Sequence, residues 1–523
     1  MSLARKFLTV GGNTMASRVL GFVRELLIAA SLGAGPVADA FYAAFRFPNL
    51  FRRVLAEGAF NSAFIPLFSR ALEEDGEEGA RRFASQVLGT LFAILLVLTA
   101  LVEMAAPFFV ATLIAPGFAD DADKFDLTVA LSRVMFPYLA CMSLVAMLSG
   151  ILNALHHYAA AAFAPVLLNI ILIAVLSTAL LMDMPAQQIG LVMGWGVFAA
   201  GLAQLLLLAV AVRKAGFTLT MRRPAMTPGV RRLLVLAAPA AIAGGIVQIN
   251  LFIGQIIASQ KAGAIAVLQY ADRIYQLPLG VVGIAIGVVL LPELSRALKG
   301  RDFKRAGDYQ NRSLAFALFL TLPAAAALCV IAEPVVRVLF ERGEFSVETT
   351  RITARALGFF APGLPAFVLV KVFSPGFFAR EDTKTPMRIA GVTMVINVVF
   401  SLALFPSMAE AGIALATTLA GWANALLLFA MLVRKGFWPM DPATFRRIGL
   451  MLVAAIAMAI ALYALMMPLA ELLQPASGLG SQLAGLGLLV ACGAAIYFTI
   501  AQMSGAADLR ALARQVARQP DGK

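Results

Sequence analysis

The chain has 523 residues, 61% of them hydrophobic and 14% charged, with a formal net charge of +13. Soluble domains carry about 45–50% apolar and about 25% charged residues, so this composition excludes a soluble globular protein and marks an integral membrane protein. The basic excess does not indicate a nucleic-acid binder, because the Lys and Arg residues recur in short connections between apolar runs and do not cluster on one solvated face.

The N-terminal "MSLARKFLTVGGNT" has no small-residue cleavage site after its apolar portion and reads as a retained first span. A helix needs about 20 mostly apolar residues to cross the hydrocarbon core. By that measure spans are predicted near 8–32, 38–68, 84–113, 128–153, 159–183, 188–212, 233–258, 264–295, 311–333, 349–378, 385–406, 410–433, 447–468 and 481–503. The fold class is therefore all-α and polytopic, with about fourteen transmembrane helices. Cys141, Cys329 and Cys492 lie far apart within apolar runs and indicate packing, not a disulfide framework or a metal site.

Basic residues set the orientation, because short cytoplasmic loops are enriched in them. Alternate connections hold Arg70, Arg81 and Arg82, then Arg213 to Arg232, then Arg296 to Arg312, then Arg380 to Arg388, then Arg434 to Arg447, and finally the tail. Both termini are expected in the cytoplasm. The opposite loops "GAGPVAD", "MDMPAQQ", "PSMAEAG" and "PLAELLQPASGLGS" carry no positive charge, whereas 334–355 mixes both signs. The second span taken alone reads equally as an amphipathic helix on the membrane surface. If it did not cross, the basic clusters at 213–232 and 296–312 would both lie outside, so a crossing is favoured.

Internal repetition appears when the halves are aligned. "IPLFSRAL" at 65–72 returns as "LPELSRAL" at 291–298, "APFFVATLIAPGF" at 106–118 resembles "EPVVRVLFERGEF" at 333–345, and "FPY" at 136–138 falls opposite "APG" at 361–363. Two pseudo-symmetric lobes of six helices follow, residues 1–215 and 216–436. Residues 437–523 supply two extra helices with uncharged cores and a cytoplasmic tail.

The first, second and eighth predicted spans each carry several charged residues. On an ideal helix Arg18, Gly21 and Glu25 share a face of the first span, with Arg24 beside them. In the second, Asp39, Arg46, Asn49, Arg53 and Glu57 form one stripe, Arg52 lies about 100° away, and Pro48 is expected to kink the helix. The eighth presents Asp272, Arg273 and Gln276 before Pro278. An arginine at mid-membrane costs about 2.5–3.5 kcal/mol, so four facing lipid would cost on the order of 10 kcal/mol. That is comparable with a whole folding margin of about 5–15 kcal/mol. The arginines must face water or partners inside the bundle. A structural ion-pair network is the plain alternative; a wet, positively charged central cavity between the lobes is the functional one. Guanidinium is a planar fork that pairs bidentately with phosphate oxygens and stays charged, so such a cavity is predicted to take a phosphate or diphosphate. Lys371 adds a cation in the tenth span, where snorkelling to an interface is the alternative. Adjacent His156 and His157 have no metal-ligand spacing and no "GxxxxGK[ST]" motif is present, which argues against an enzyme.

The stretches "SRVLGFVRE", "DAFYAAFRFPNLFRRVLAEGAFNSAFIP", "APGF", "YADRIYQLPLGVVGIAIGVVLLPELS" and "KVFSPGFFAREDTKTP" closely resemble the MurJ (MviN) family of bacterial lipid II flippases, over about residues 1–440. The resemblance implies the fold of the multidrug/oligosaccharidyl-lipid/polysaccharide exporter superfamily, with the last two helices forming a groove for a polyprenyl tail. It implies translocation of undecaprenyl-diphosphate bearing the disaccharide-pentapeptide across the bacterial inner membrane, with no bond broken. Arg18, Arg24, Arg52 and Arg273 match the family's cavity arginines and Asp39 its acidic cavity residue. Ser17, Asn49 and Glu57 are further candidates for headgroup contact or gating, alongside Glu25, Arg53, Asp272 and Lys371. No cofactor is implied. Residues 233–258 lack the carboxylate of sodium-coupled relatives, so membrane potential or protons are favoured over sodium as the driving force. A monomer is expected, its partners being lipid II, membrane lipids and cell-wall synthesis proteins. The competing cargo is another lipid-linked glycan or a drug.

Overall fold

A computed structural model of the chain describes residues 3–52, 60–439 and 441–506, and every regular element among them is helical. The chain divides into two compact units, residues 1–266 with 342–345, and residues 267–341 with 346–523.

The first unit holds α1 (Leu3–Leu32), α2 (Pro36–Phe51), α3 (Asn61–Met104), α4 (Ala106–Phe109), α5 (Ala122–Met135), α6 (Pro137–Ala154), α7 (Ala159–Leu181), α8 (Ala186–Lys214), α9 (Pro228–Ala258) and the first residues of α10 (Ala264–Lys299). Local chemistry sets the boundaries. Asp121 caps α5 by accepting from the Lys124 backbone N–H, and Thr227 caps α9 with Pro228 at its first turn. Gly76, with φ +68°, breaks the long α3. The expected single spans at 38–68 and 128–153 are differently built. The first covers α2 and the start of α3, with 53–59 outside the described residues. The second is the pair α5 and α6, divided at Pro137, which has no N–H to continue the ladder.

Residues 342–345 belong to the first unit through the turn between α1 and α2. The Glu344 N–H donates to the Ala30 carbonyl at 2.9 Å. Gly343 (φ +58°) and Gly33 (φ +55°) approach so closely that a Cβ on either would lie 2.2 Å from the Ala30 oxygen or 2.3 Å from the Glu344 oxygen.

The second unit continues α10 and adds α11 (Phe303–Val330), α12 (Ala332–Phe340), α13 (Val347–Phe360), α14 (Gly363–Phe378), α15 (Lys384–Met408), α16 (Glu410–Arg434), α17 (Pro442–Met466) and α18 (Gly478–Met503). Its core packs Leu294, Leu314, Phe373, Phe377, Leu428 and Trp438. The expected span at 349–378 is again two helices, parted at the "APG" that the sequence sets opposite "FPY". The mixed-sign stretch after 333 is partly α12, where Arg337 pairs with Glu333 at 2.5 Å and Glu341 at 3.5 Å. The charge of Arg337 is thereby met within its own helix and the residue that ends it.

Ten helical stretches among the described residues are long and apolar enough to cross a membrane. α1, α2, α9 and α10 are not among them. Three of these four, α1, α2 and α10, carry Arg24, Asp39 and Arg273. Leu452, Val453, Ile456 and Ile460 of α17 and Leu483, Leu488 and Val490 of α18 are exposed, as lipid contact requires.

The connection from α14 to α15 is tied to the end of α16. Lys435 Nζ donates to Asp382 Oδ2 at 2.6 Å, and Thr385 adds bonds at 2.7 and 3.0 Å. The Lys435 ammonium, followed by the Thr385 donors, holds the Asp382 carboxyl at about 2, below its ordinary 3.8. A depressed carboxyl stabilises the fold fully above the unfolded-chain value and loses that contribution as pH falls toward the folded one. Asp382→Asn is therefore expected to lower the thermal midpoint at pH 7, and the difference from the parent should close as pH drops from about 4 to about 2.

Candidate cargo site on the charged helices

Arg24 and Glu25 of α1 are buried within the first unit and have partners there. Arg24 is 7% exposed; its Nη1 donates to Asn169 Oδ1 of α7 at 3.0 Å and its Nη2 to Glu25 Oε1 at 3.0 Å. Glu25, 1% exposed, accepts on its other oxygen from the Tyr42 hydroxyl of α2 at 2.6 Å. Asn169 is itself fixed, because its Nδ2 donates to the Ser17 carbonyl at 3.0 Å and the Pro165 carbonyl at 3.2 Å. Gly21 packs against this side chain, a Cβ there lying in ordinary contact at 3.6 Å from Asn169 Nδ2. Arg24 Nε has no hydrogen-bond partner among the described residues. A buried guanidinium is thus held in place by one carboxylate and one amide, and keeps one N–H donor unmatched. Such an N–H is costly unless something accepts it.

The other predicted residues fall into separate groups. Asn49 and Arg52, both half-buried, form a local pair, Arg52 Nε donating to Asn49 Oδ1 at 3.0 Å. Arg18 is exposed on α1. Arg53 and Glu57 lie outside the described residues. Asp272 and Arg273 are half-buried in the second unit, where Asp272 accepts from Gln276, and Lys371 is exposed on α14.

Asp39 stands in a third group and is fully buried. Its Oδ2 accepts from Lys124 Nζ at 2.7 Å and from the Gly263 N–H at 2.7 Å, and its Oδ1 from the Ala266 N–H at 2.9 Å. The carboxylate therefore sits on the N-terminal turn of α10, where the helix dipole and free amides favour an anion.

Sequence reasoning finds Ser17, Arg24 and Glu25 but misses the side chains that organise them, Asn169 and Tyr42, and it misses Lys124. Asn169 is a lone polar residue in "APVLLNIILIAV", and Lys124 is a lone cation in "ADDADKFDL", in a loop set otherwise poor in positive charge. Neither exception shows, from the sequence alone, which helix it meets or that it is buried.

Comparison with known proteins adds three findings. The family model described as lipid II flippase MurJ matches residues 28–484. The chain is similar to the probable lipid II flippase MurJ of Rhizobium meliloti strain 1021, 57% identical over 518 residues and covering 99% of this chain and 97% of the relative. It is also similar to the lipid II flippase MurJ of Burkholderia cenocepacia, 35% identical over 465 residues and covering 88% and 89%. Among solved structures it resembles a lipid II flippase MurJ in an inward closed conformation, with TM-score 0.76, 25% identity and coverage of 94% of this chain and 98% of that one. An inward-facing multidrug resistance MATE family transporter of the MOP superfamily shares the fold, with TM-score 0.67 at 15% identity over 80% of this chain and 95% of that one.

The Arg24 cluster makes one stability prediction. Asn169→Ala removes an acceptor from a buried guanidinium and is expected to cost about 1–3 kcal/mol, read as a lower melting temperature in detergent.

Proposed function

This chain belongs to the lipid II flippase family MurJ, and from that premise we propose how its charged helices carry the cargo across the bacterial inner membrane. The diphosphate of lipid II is bound by Arg24, Arg52 and Arg273, with Arg18 at the mouth of the site. The observation that carries this reading is Arg24, buried, oriented by Asn169 and Glu25, and left with a donor that no described residue accepts. Anionic oxygen is the acceptor that best suits a guanidinium edge in a low-dielectric site.

The ten apolar stretches, together with α1, α2, α9 and α10, make fourteen spans. The basic loops and both termini lie in the cytoplasm. In this reading residues 1–215 and 216–436 are the two six-helix lobes, and 437–523 adds α17 and α18, whose exposed apolar faces shelter the polyprenyl tail while the headgroup occupies a central cavity. Transport is alternating access: an inward state pairs the diphosphate with the arginines, and an outward state releases it because Glu25 and Asp272 compete for the same guanidiniums. Ser17, Asn49 and Lys371 line or gate the path. Membrane potential or a proton gradient drives the cycle, and the chain acts as a monomer.

Arg24→Ala combined with Arg52→Ala and Arg273→Ala is expected to abolish lipid II flipping in reconstituted vesicles while the protein remains folded in the membrane. Retained flipping would remove the site assignment. Parallel vesicles with an unrelated polyprenyl-diphosphate glycan test cargo choice: flipping of lipid II alone is expected, and equal rates for both would assign the headgroup no part in recognition.

A further inference from the structure

Lys124 is the one charged residue of the acidic segment 119–127 that is buried. Asp120, Asp121, Asp123 and Asp126 are all exposed, whereas Lys124 is 5% exposed. Burying an ammonium costs several kcal/mol unless it is paired, so the inward turn requires a reason. Its Nζ lies 2.7 Å from Asp39 Oδ2 and 3.9 Å from the centroid of the Phe118 ring, an ion pair backed by a cation–π contact.

The surroundings form a closed circuit. Gly117 N–H donates to Ser259 Oγ at 3.0 Å, which seats the Pro116–Phe118 turn on the turn that follows α9. Phe118 then faces Lys124, Lys124 holds Asp39, and Asp39 accepts from Gly263 and Ala266 at the start of α10. Gly263 has φ +80° and a Cβ there would lie 2.9 Å from the Ala34 carbonyl, so this turn is shaped to bring its N–H to the carboxylate.

A buried ion pair is often no better for stability than an apolar pair of the same shape. What these charges supply is a contact that opens and recloses. When the first turn of α10 leaves, Asp39 loses two amide donors but keeps Lys124 as counter-ion. Opening then costs two hydrogen bonds but lets water reach the carboxylate, whereas closure buries it and needs Lys124 as its counter-ion. We propose that Lys124 is a positioning residue of the transport cycle, holding Asp39 as a latch on the N-terminus of α10, the helix that carries Asp272 and Arg273. The proposal rests on the flippase reading for its role in transport, but the latch itself is testable without cargo.

Ala264 is fully buried beside the latch, so a cysteine there reports its opening. With Cys141, Cys329 and Cys492 replaced by serine, Ala264→Cys is labelled by a membrane-impermeant maleimide from the side opposite the basic loops. Lys124→Met is expected to raise the labelling rate on the order of tenfold or more, because an uncompensated buried carboxylate disfavours the closed state. Lys124→Arg should return it toward the parent. Asp39→Asn with Lys124→Met leaves no buried charge and serves as the folded control should Lys124→Met not reach the membrane. It is expected to remain fast, since the carboxylate acceptors are gone. Parent-rate labelling in Lys124→Met, or in the double variant, overturns the latch. Failure of the parent protein to flip lipid II would instead strike the flippase reading and leave the labelling result standing.

Discussion

A charge surrounded by apolar side chains must be met by another charge or by a full set of hydrogen bonds, and the architecture of the first unit follows from that requirement. Two cations and two carboxylates are nearly sealed from solvent there, as Arg24 with Glu25 and Lys124 with Asp39. Each pair recruits a different helix: Asn169 brings α7 to α1, and the Gly263 and Ala266 amides bring the start of α10 to α2. The apolar contacts fill the space between helices, and the polar ones decide which turn meets which.

The same requirement divides structure from function among the charged residues. Asp39 has three donors on its two oxygens, and its carboxylate is committed. Arg24 is oriented but not saturated, since its Nε is unmatched among the described residues. A committed ion suits a latch, and an unsaturated one suits cargo binding. A plain structural network, the simpler reading of these charges, accounts for the first group and leaves the Arg24 donor without a purpose.

The sequence made the helical, membrane-embedded class plain, because runs of about 20 apolar residues have few other homes. The spans at 128–153 and 349–378 each read as one helix in the sequence, and their breaks, which fall at the aligned "FPY" and "APG", and their division into α5 with α6 and α13 with α14 need coordinates. Arg24 and Glu25 stood out as charges within an apolar run. Their partners did not, since Asn169 and Tyr42 lie 145 and 17 residues away and no periodicity within one helix relates residues on different helices. Lys124 escaped for another reason: among four aspartates a lysine reads as surface charge, and only tertiary burial distinguishes it.

The central claim is that the guanidinium of Arg24 is prepared for the diphosphate of the cargo. Phosphorus–nitrogen dipolar recoupling in membranes, between lipid II and protein carrying ¹⁵N at arginine side chains, measures that contact directly. The account predicts phosphorus-dependent dephasing of a guanidinium signal that disappears in Arg24→Lys. Dephasing that is absent, or unchanged in that variant, would contradict it.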